Sequence, residues 1–154
     1  MRHLVAIIAL TVVISLFPGT SQAGETGTPT ITFALLEKTV FNNTPPPRFP
    51  AELSKLEGKR VRLSGFATPY DDPENLAKMV LVNSPGGCFF CGPPSAAAVV
   101  LVRRVPNDPV LKNLAGPVEV EGILHLWRAK MKNDDEARGF LFTIDEARVR
   151  VKKK

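Results

Sequence analysis

Residues 58–66 read GKRVRLSGF, and the fold class turns on this stretch. Val61 and Leu63 alternate with Arg60, Arg62 and Ser64, a period of two that belongs to a strand with one face in a core and the other in water. The pattern returns in residues 116–126, GPVEVEGILHL, where Val118, Val120, Leu124 and Leu126 face inward and Glu119, Glu121 and His125 outward. Each strand carries an internal glycine, Gly65 in the first and Gly122 in the second. A glycine there marks a bulge or sharp bend of the kind a small closing barrel needs.

Three further strands are expected around these two. KMVLV ends at Val82, AAVVLVRRV spans Ala97 to Val105 and is nearly all apolar, and GFLFTIDEARVRV runs from Gly139 with Phe140, Phe142 and Ile144 on one face. Its last part, Ala147 to Val151, reads as the closing stretch. PNDPVLKNLAG, from Pro106, predicts a proline-bounded turn and a short helix between the third and fourth strands. Upstream, in FPAELSKLEGK, Pro50 opens a helical turn, Leu53 and Leu56 share a face, and Gly58 closes it. The fold class is therefore mainly all-β, a small five-stranded, partly open barrel of the oligonucleotide/oligosaccharide-binding type with one or two short helices. A small sandwich is the competing architecture.

The first residues set the compartment. Arg2 and His3 precede an apolar run from Leu4 to Phe17, Pro18-Gly19 breaks it, and Ser21-Gln22-Ala23 offers a small-x-small cleavage site. Residues 1–23 read as a signal peptide cleaved between Ala23 and Gly24, which makes the chain periplasmic or secreted. The 14-residue apolar run is short of the roughly 20 needed to span a bilayer, so no permanent membrane anchor is expected after cleavage. Residues 24–48 read as a leader and linker with one apolar segment, ITFALLEKTVF, packed on the domain as a strand or short helix. Residues 49–154 form the single barrel domain.

After the signal, 19 basic residues face 15 acidic ones, a mild +4. The excess comes largely from Arg148, Arg150 and Lys152 to Lys154, which read as a solvated strand face and tail. No nucleic-acid partner is expected, because the charge is not interleaved with aromatic side chains. No serine-histidine-acid order, phosphate loop or dinucleotide fingerprint is present, which argues against a hydrolase.

FPAELSKLEGKRVRLSGFATP, the strand ending LVNS, the run CFFCGPP with an apolar strand behind it, and PVEVEGIL together resemble the secreted bacterial family known as domain of unknown function 3299. The resemblance covers roughly Thr30 to the end. Its most specific parts are Gly65, Phe66 and Pro69, and the Cys-x-x-Cys-Gly-x-Pro run. It implies a small exported β-barrel and names no activity.

The chemistry rests on Cys88 and Cys91, the two cysteines of the chain. Three readings are open. A redox pair uses this spacing, but Gly92, Pro93 and Pro94 follow the second cysteine, so no helix N-terminus lowers a thiol pKa. A metal site, zinc or copper, suits two thiolates in a glycine-rich turn, with His125 as candidate third ligand and Glu121 beside it, or with two chains sharing one ion. A plain disulfide pinning the loop is the third. Phe89 and Phe90 plug the barrel end or serve as an interaction handle. The function expected is an exported, non-catalytic accessory module whose Cys88/Cys91 loop binds a metal ion or a periplasmic or membrane protein partner, in service of a transport system. A thiol-disulfide redox protein is the alternative.

Overall fold

Ten residues of alternating pattern are long enough to pair with two neighbours in succession, and β1 (Arg60–Pro69) does so. Its first half runs antiparallel to β4 (Pro117–Leu126), from Arg60 opposite Ile123 to Phe66 opposite Pro117. Its second half, Phe66 to Pro69, pairs with β2 (Lys78–Val82). β3 (Val99–Arg104) joins β2 antiparallel and β5 (Phe142–Val151) parallel, and β5 returns to β4. The barrel closes in the order β1-β2-β3-β5-β4. The computed structural model describes residues 27–42, 46–70, 76–85, 95–106, 116–127 and 134–152. The five strands fall within the stretches read as strands, with Ala97 and Ala98 in a 3-10 turn ahead of β3 and β5 starting at Phe142 rather than Gly139, and the barrel is closed rather than partly open. The expected helix between β3 and β4 lies outside the described residues.

Closure depends on two glycines. At Gly65, where β1 passes from one neighbour to the other, a Cβ would stand 2.7 Å from the Val82 carbonyl oxygen and 2.8 Å from the Phe33 ring. At Gly122 a Cβ would meet the Asp145 carbonyl oxygen at 2.5 Å and Ala147 Cα at 3.0 Å. The crowding at Gly122 comes from a bulge in the facing strand. Between Ile144 and Arg148, β5 carries one residue more than either β3 or β4, and both ladders shift register there. Glu146 takes up the extra length in the left-handed region, with φ 48°.

The N-terminal segment is part of the same body. The Arg62 N–H donates to the Pro29 carbonyl at 2.9 Å and the Ile31 N–H to the Arg62 carbonyl at 2.8 Å, which fills the edge of β1 that β2 does not reach. Ile31, Phe33, Leu36 and Leu53 are buried in the main core with the barrel interior. The apolar segment is a short helix, α1 (Phe33–Leu36), capped by the Thr32 hydroxyl, which accepts from the Leu35 N–H. Much of the stretch read as leader and linker thus shares the barrel's core. The second helix, α2 (Ala51–Ser54), starts after Pro50, and Gly58 at φ 70° turns the chain into β1.

A second, smaller core lies outside the barrel. Met79, Leu81, Val100 and Val102 point into the main core, while Val80, Val82, Val99 and Leu101 on the opposite faces of β2 and β3 are also buried. Phe140 packs over them with Phe66 and Tyr70, its ring meeting Tyr70 edge-on at 5.8 Å. This corrects one expectation. Phe140 does not share a face with Phe142 and Ile144, because the chain bends at Leu141 before β5 begins and the alternation is broken there.

Candidate functional site

The Cys-x-x-Cys run belongs to the connection between β2 and β3. Cys88, Phe89, Phe90, Cys91, Gly92, Pro93 and Pro94 lie outside the described residues, as do Ala23 and Gly24; the anchors of the connection are described on both sides. Before it, Asn83 Nδ2 donates to Glu37 Oε1 at 3.4 Å, a long bond to the end of α1. After it, the Ser95 hydroxyl accepts from the Ala97 N–H at 3.0 Å and starts a single 3-10 turn, Ala96–Ala98, which packs on α1. Ala97 and Ala98 are buried. The strands that carry the connection are buried on both faces. A hairpin held in this way gives its loop a fixed base.

The two candidate ligands on β4 are not brought together. Glu121 and His125 both face outward, four residues apart, which is about 13 Å along a strand. Glu121 Oε2 accepts from Arg62 Nη2 at 3.2 Å. His125 is held between two carboxylates, with Nδ1 3.3 Å from Glu57 Oε1 and Nε2 3.7 Å from Asp145 Oδ2. Among the described residues no group of three or more histidine, cysteine or acidic side chains is placed to hold a metal ion. Each of the two is engaged by its own partners, and the approach of Cys88 and Cys91 to either one lies outside the described residues.

His125 instead starts a line of charges across the outer face of β4, β5 and β3. Asp145 accepts from Arg103 Nε at 2.8 Å and Nη2 at 3.0 Å. The other edge of the same guanidinium donates to both oxygens of Asp134 at 2.9 Å. Burial alone would push the Arg103 pKa down; the hydrogen bonds to Asp145 and Asp134 outweigh it and hold the group above its ordinary value, so it stays charged. Glu57 ties the α2 segment to the same line, because its second oxygen accepts the Leu126 N–H at 2.6 Å. With every one of these side chains engaged by another, the arrangement braces the strands. Neither periodicity nor motif in the sequence singles out Arg103, Asp145 or Glu57. The available signal was the Arg103-Arg104 pair at the end of an otherwise apolar strand.

In barrels of this topology, ligands lie on the face of strands 2 and 3 between the β1–β2 and β4–β5 connections. Here that face is covered by the chain itself. Phe140, from the β4–β5 connection, and Tyr70, at the end of β1, occupy it. A separate open cleft of about 310 Å³ lies on the far side, lined by Arg60, Val105, Glu121, Glu146 and Arg148.

Strand order, the parallel β3–β5 pair and the covered β2–β3 face define a small closed barrel of the oligonucleotide/oligosaccharide-binding topology. The chain belongs to the family described as protein of unknown function (DUF3299), whose sequence profile matches residues 45–149. A crystal structure of a DUF3299 family protein from Pseudomonas aeruginosa PAO1 is similar in fold, with a TM-score of 0.55 and 17% identity over 83% of this chain and 99% of that one. Among curated proteins none matches the chain.

Proposed function

We propose that the protein is an exported, non-catalytic binding module that presents the Cys88/Cys91 loop to a protein partner in the periplasm, as an accessory of a transport system. The observation that carries this reading is the double burial of β2 and β3, together with the Asn83–Glu37 hydrogen bond and the packing of Ala96–Ala98 on α1, which give the connection between the two strands a fixed base at both ends. The face that such barrels use for oligonucleotides or oligosaccharides is taken by Phe140 and Tyr70, which turns attention to the loop. Phe89 and Phe90 supply the apolar contact, and Cys88 and Cys91 hold the turn together. A zinc or copper ion bound by the pair would draw its remaining ligands from a second copy or from the partner, since Glu121 and His125 are committed elsewhere.

The test is site-specific cross-linking in cells. A photo-reactive residue at Phe89 or Phe90 should trap one protein of defined mass, and the same residue at exposed Lys55 should not. Elemental analysis and thiol counting of the purified protein accompany it. One equivalent of zinc or copper per chain or per pair of chains would move the reading to a metal site. A cysteine couple that cycles at roughly −200 mV or above would move it to a thiol-disulfide enzyme.

A further inference from the structure

The outer face of β1, β4 and β5 is a lattice of charges with the signs sorted by depth. Register places Glu121 between Arg62 and Arg148, and Glu119 between Ser64 and Arg150. Arg62 lies over both carboxylates, 3.5 Å from Glu119 and 3.2 Å from Glu121, and Lys152 reaches Glu119 at 3.9 Å. The two carboxylates are sunk among the strands, their side chains 25% and 28% exposed. Arg60, Arg148, Arg150 and Lys152 are exposed above them. The exposed anion on this face is Glu146, paired with Arg60 at 3.7 Å. A surface approaching from solvent meets cations first, at alternate positions along β5, about 7 Å apart.

We propose that this face docks the protein on an anionic phospholipid surface. Three features favour a lipid surface over an acidic peptide. The cations spread in two dimensions, from Arg60 on β1 to Arg148 and Arg150 on β5 and Lys152 just after it, which matches a plane of phosphates. The cleft beside them holds both signs, Arg60 and Arg148 with Glu121 and Glu146, and would oppose an acidic chain lying in it. The β4 edge of β5 is fully paired to Val151, which denies a peptide strand addition on that side. Arginine and lysine at a bilayer surface act roughly additively and lose their effect as salt is raised.

The experiment is co-sedimentation of the whole chain with vesicles of phosphatidylcholine alone and of phosphatidylcholine with phosphatidylglycerol, at low and high salt. The difference between the two vesicle types isolates the charge effect whatever happens to residues 1–23. Binding should be stronger on the anionic vesicles and fall with salt. Arg148→Glu with Arg150→Glu should weaken it by roughly tenfold or more, with an unchanged circular dichroism spectrum, while Arg148→Lys with Arg150→Lys should retain it. Equal binding to both vesicle types, or salt-independent binding, would overturn the proposal. So would capture by polyglutamate with no preference for anionic vesicles, which would reassign the face to an acidic protein.

Discussion

The β2–β3 hairpin and the β4–β5 pair are neighbours in one barrel and are built on opposite rules. On β4 and β5 the inner positions are apolar and the outer ones carry Glu119, Glu121, His125, Asp145, Arg148 and Arg150. On β2 and β3 both faces are apolar and both are buried, one in the barrel and one under Phe140 and Tyr70. The difference follows from what lies outside each pair. Water lies over β4 and β5, and a strand half in water must alternate; a strand covered on both sides reads as a continuous apolar run. Continuous apolar character in KMVLV and AAVVLV was therefore a sign that something covers the outer face. Only the fold shows that the cover is the chain's own β4–β5 connection.

The comparison can be broken most severely at the bulge that shapes β5. Gly122→Val drives a side chain into the Asp145 carbonyl and Ala147, which are backbone atoms that cannot swing aside. It should cost 3 kcal/mol or roughly more, at or beyond the upper end for overpacking, and Gly65→Val should follow it. Ser64→Val, on the half-buried outer face, should melt with the parent. Thermal melts of the three variants decide this. If all three melt together, the close approach at the glycines is absent in solution.

The two kinds of outer face can then be set against each other directly. Leu101→Ala, on the covered face of β3, should lose roughly 3 kcal/mol, because it empties a fully buried site. Arg150→Ala, at an outer position on β5, should stay within about 0.5 kcal/mol. Urea unfolding of both variants measures the contrast, and equal losses would mean that the second core is not formed.

Where the faces meet, Arg103 joins the end of apolar β3 to the charged line on β5 and β4. Arg103→Ala leaves Asp134 and Asp145 without the cation between them, and should cost about 2 kcal/mol, less than a fully buried pair because the groups are partly exposed. Asp145→Asn restored in the same chain should return part of that loss, read as a positive coupling in a double-mutant cycle.

A small effect is also expected at the bulge residue itself. Glu146 holds a left-handed backbone that disfavours a side chain by about 1–2 kcal/mol. Glu146→Gly removes that cost and adds freedom to the unfolded chain, so the net change should lie within about 1 kcal/mol of the parent. A loss of several kcal/mol would show that the Arg60–Glu146 pair does more than its exposure implies.

The strands, their order along the chain and the inward residues of β1 and β4 were legible because alternation is a local property. A residue two positions away must share its face. The two internal glycines were legible as bends for the same reason, although the identity of what presses on each was not. Gly65 is crowded by Val82 and Phe33, and Gly122 by Asp145 and Ala147, partners 17 to 32 residues away in sequence. The candidate ligands show the limit from the other side. His125 and Glu121 looked available because they face outward, and outward-facing says nothing about which charges arrive from other strands. Glu57, Asp145 and Arg62 supply those charges.

For this protein, composition and pattern alone determined a small β-barrel with a Cys-x-x-Cys connection between two apolar strands, because periodicity, glycine and cysteine spacing act over a few residues. Tertiary structure alone decided that the barrel closes, that Ile31, Phe33 and Leu36 share its core, and that Phe140 covers the β2–β3 face. It also decided that Arg103 is shared between Asp134 and Asp145. Each of these depends on a contact between residues far apart in the chain, and such a contact exists only once the bulge at Glu146 and the crossing at Gly65 have fixed how the strands turn.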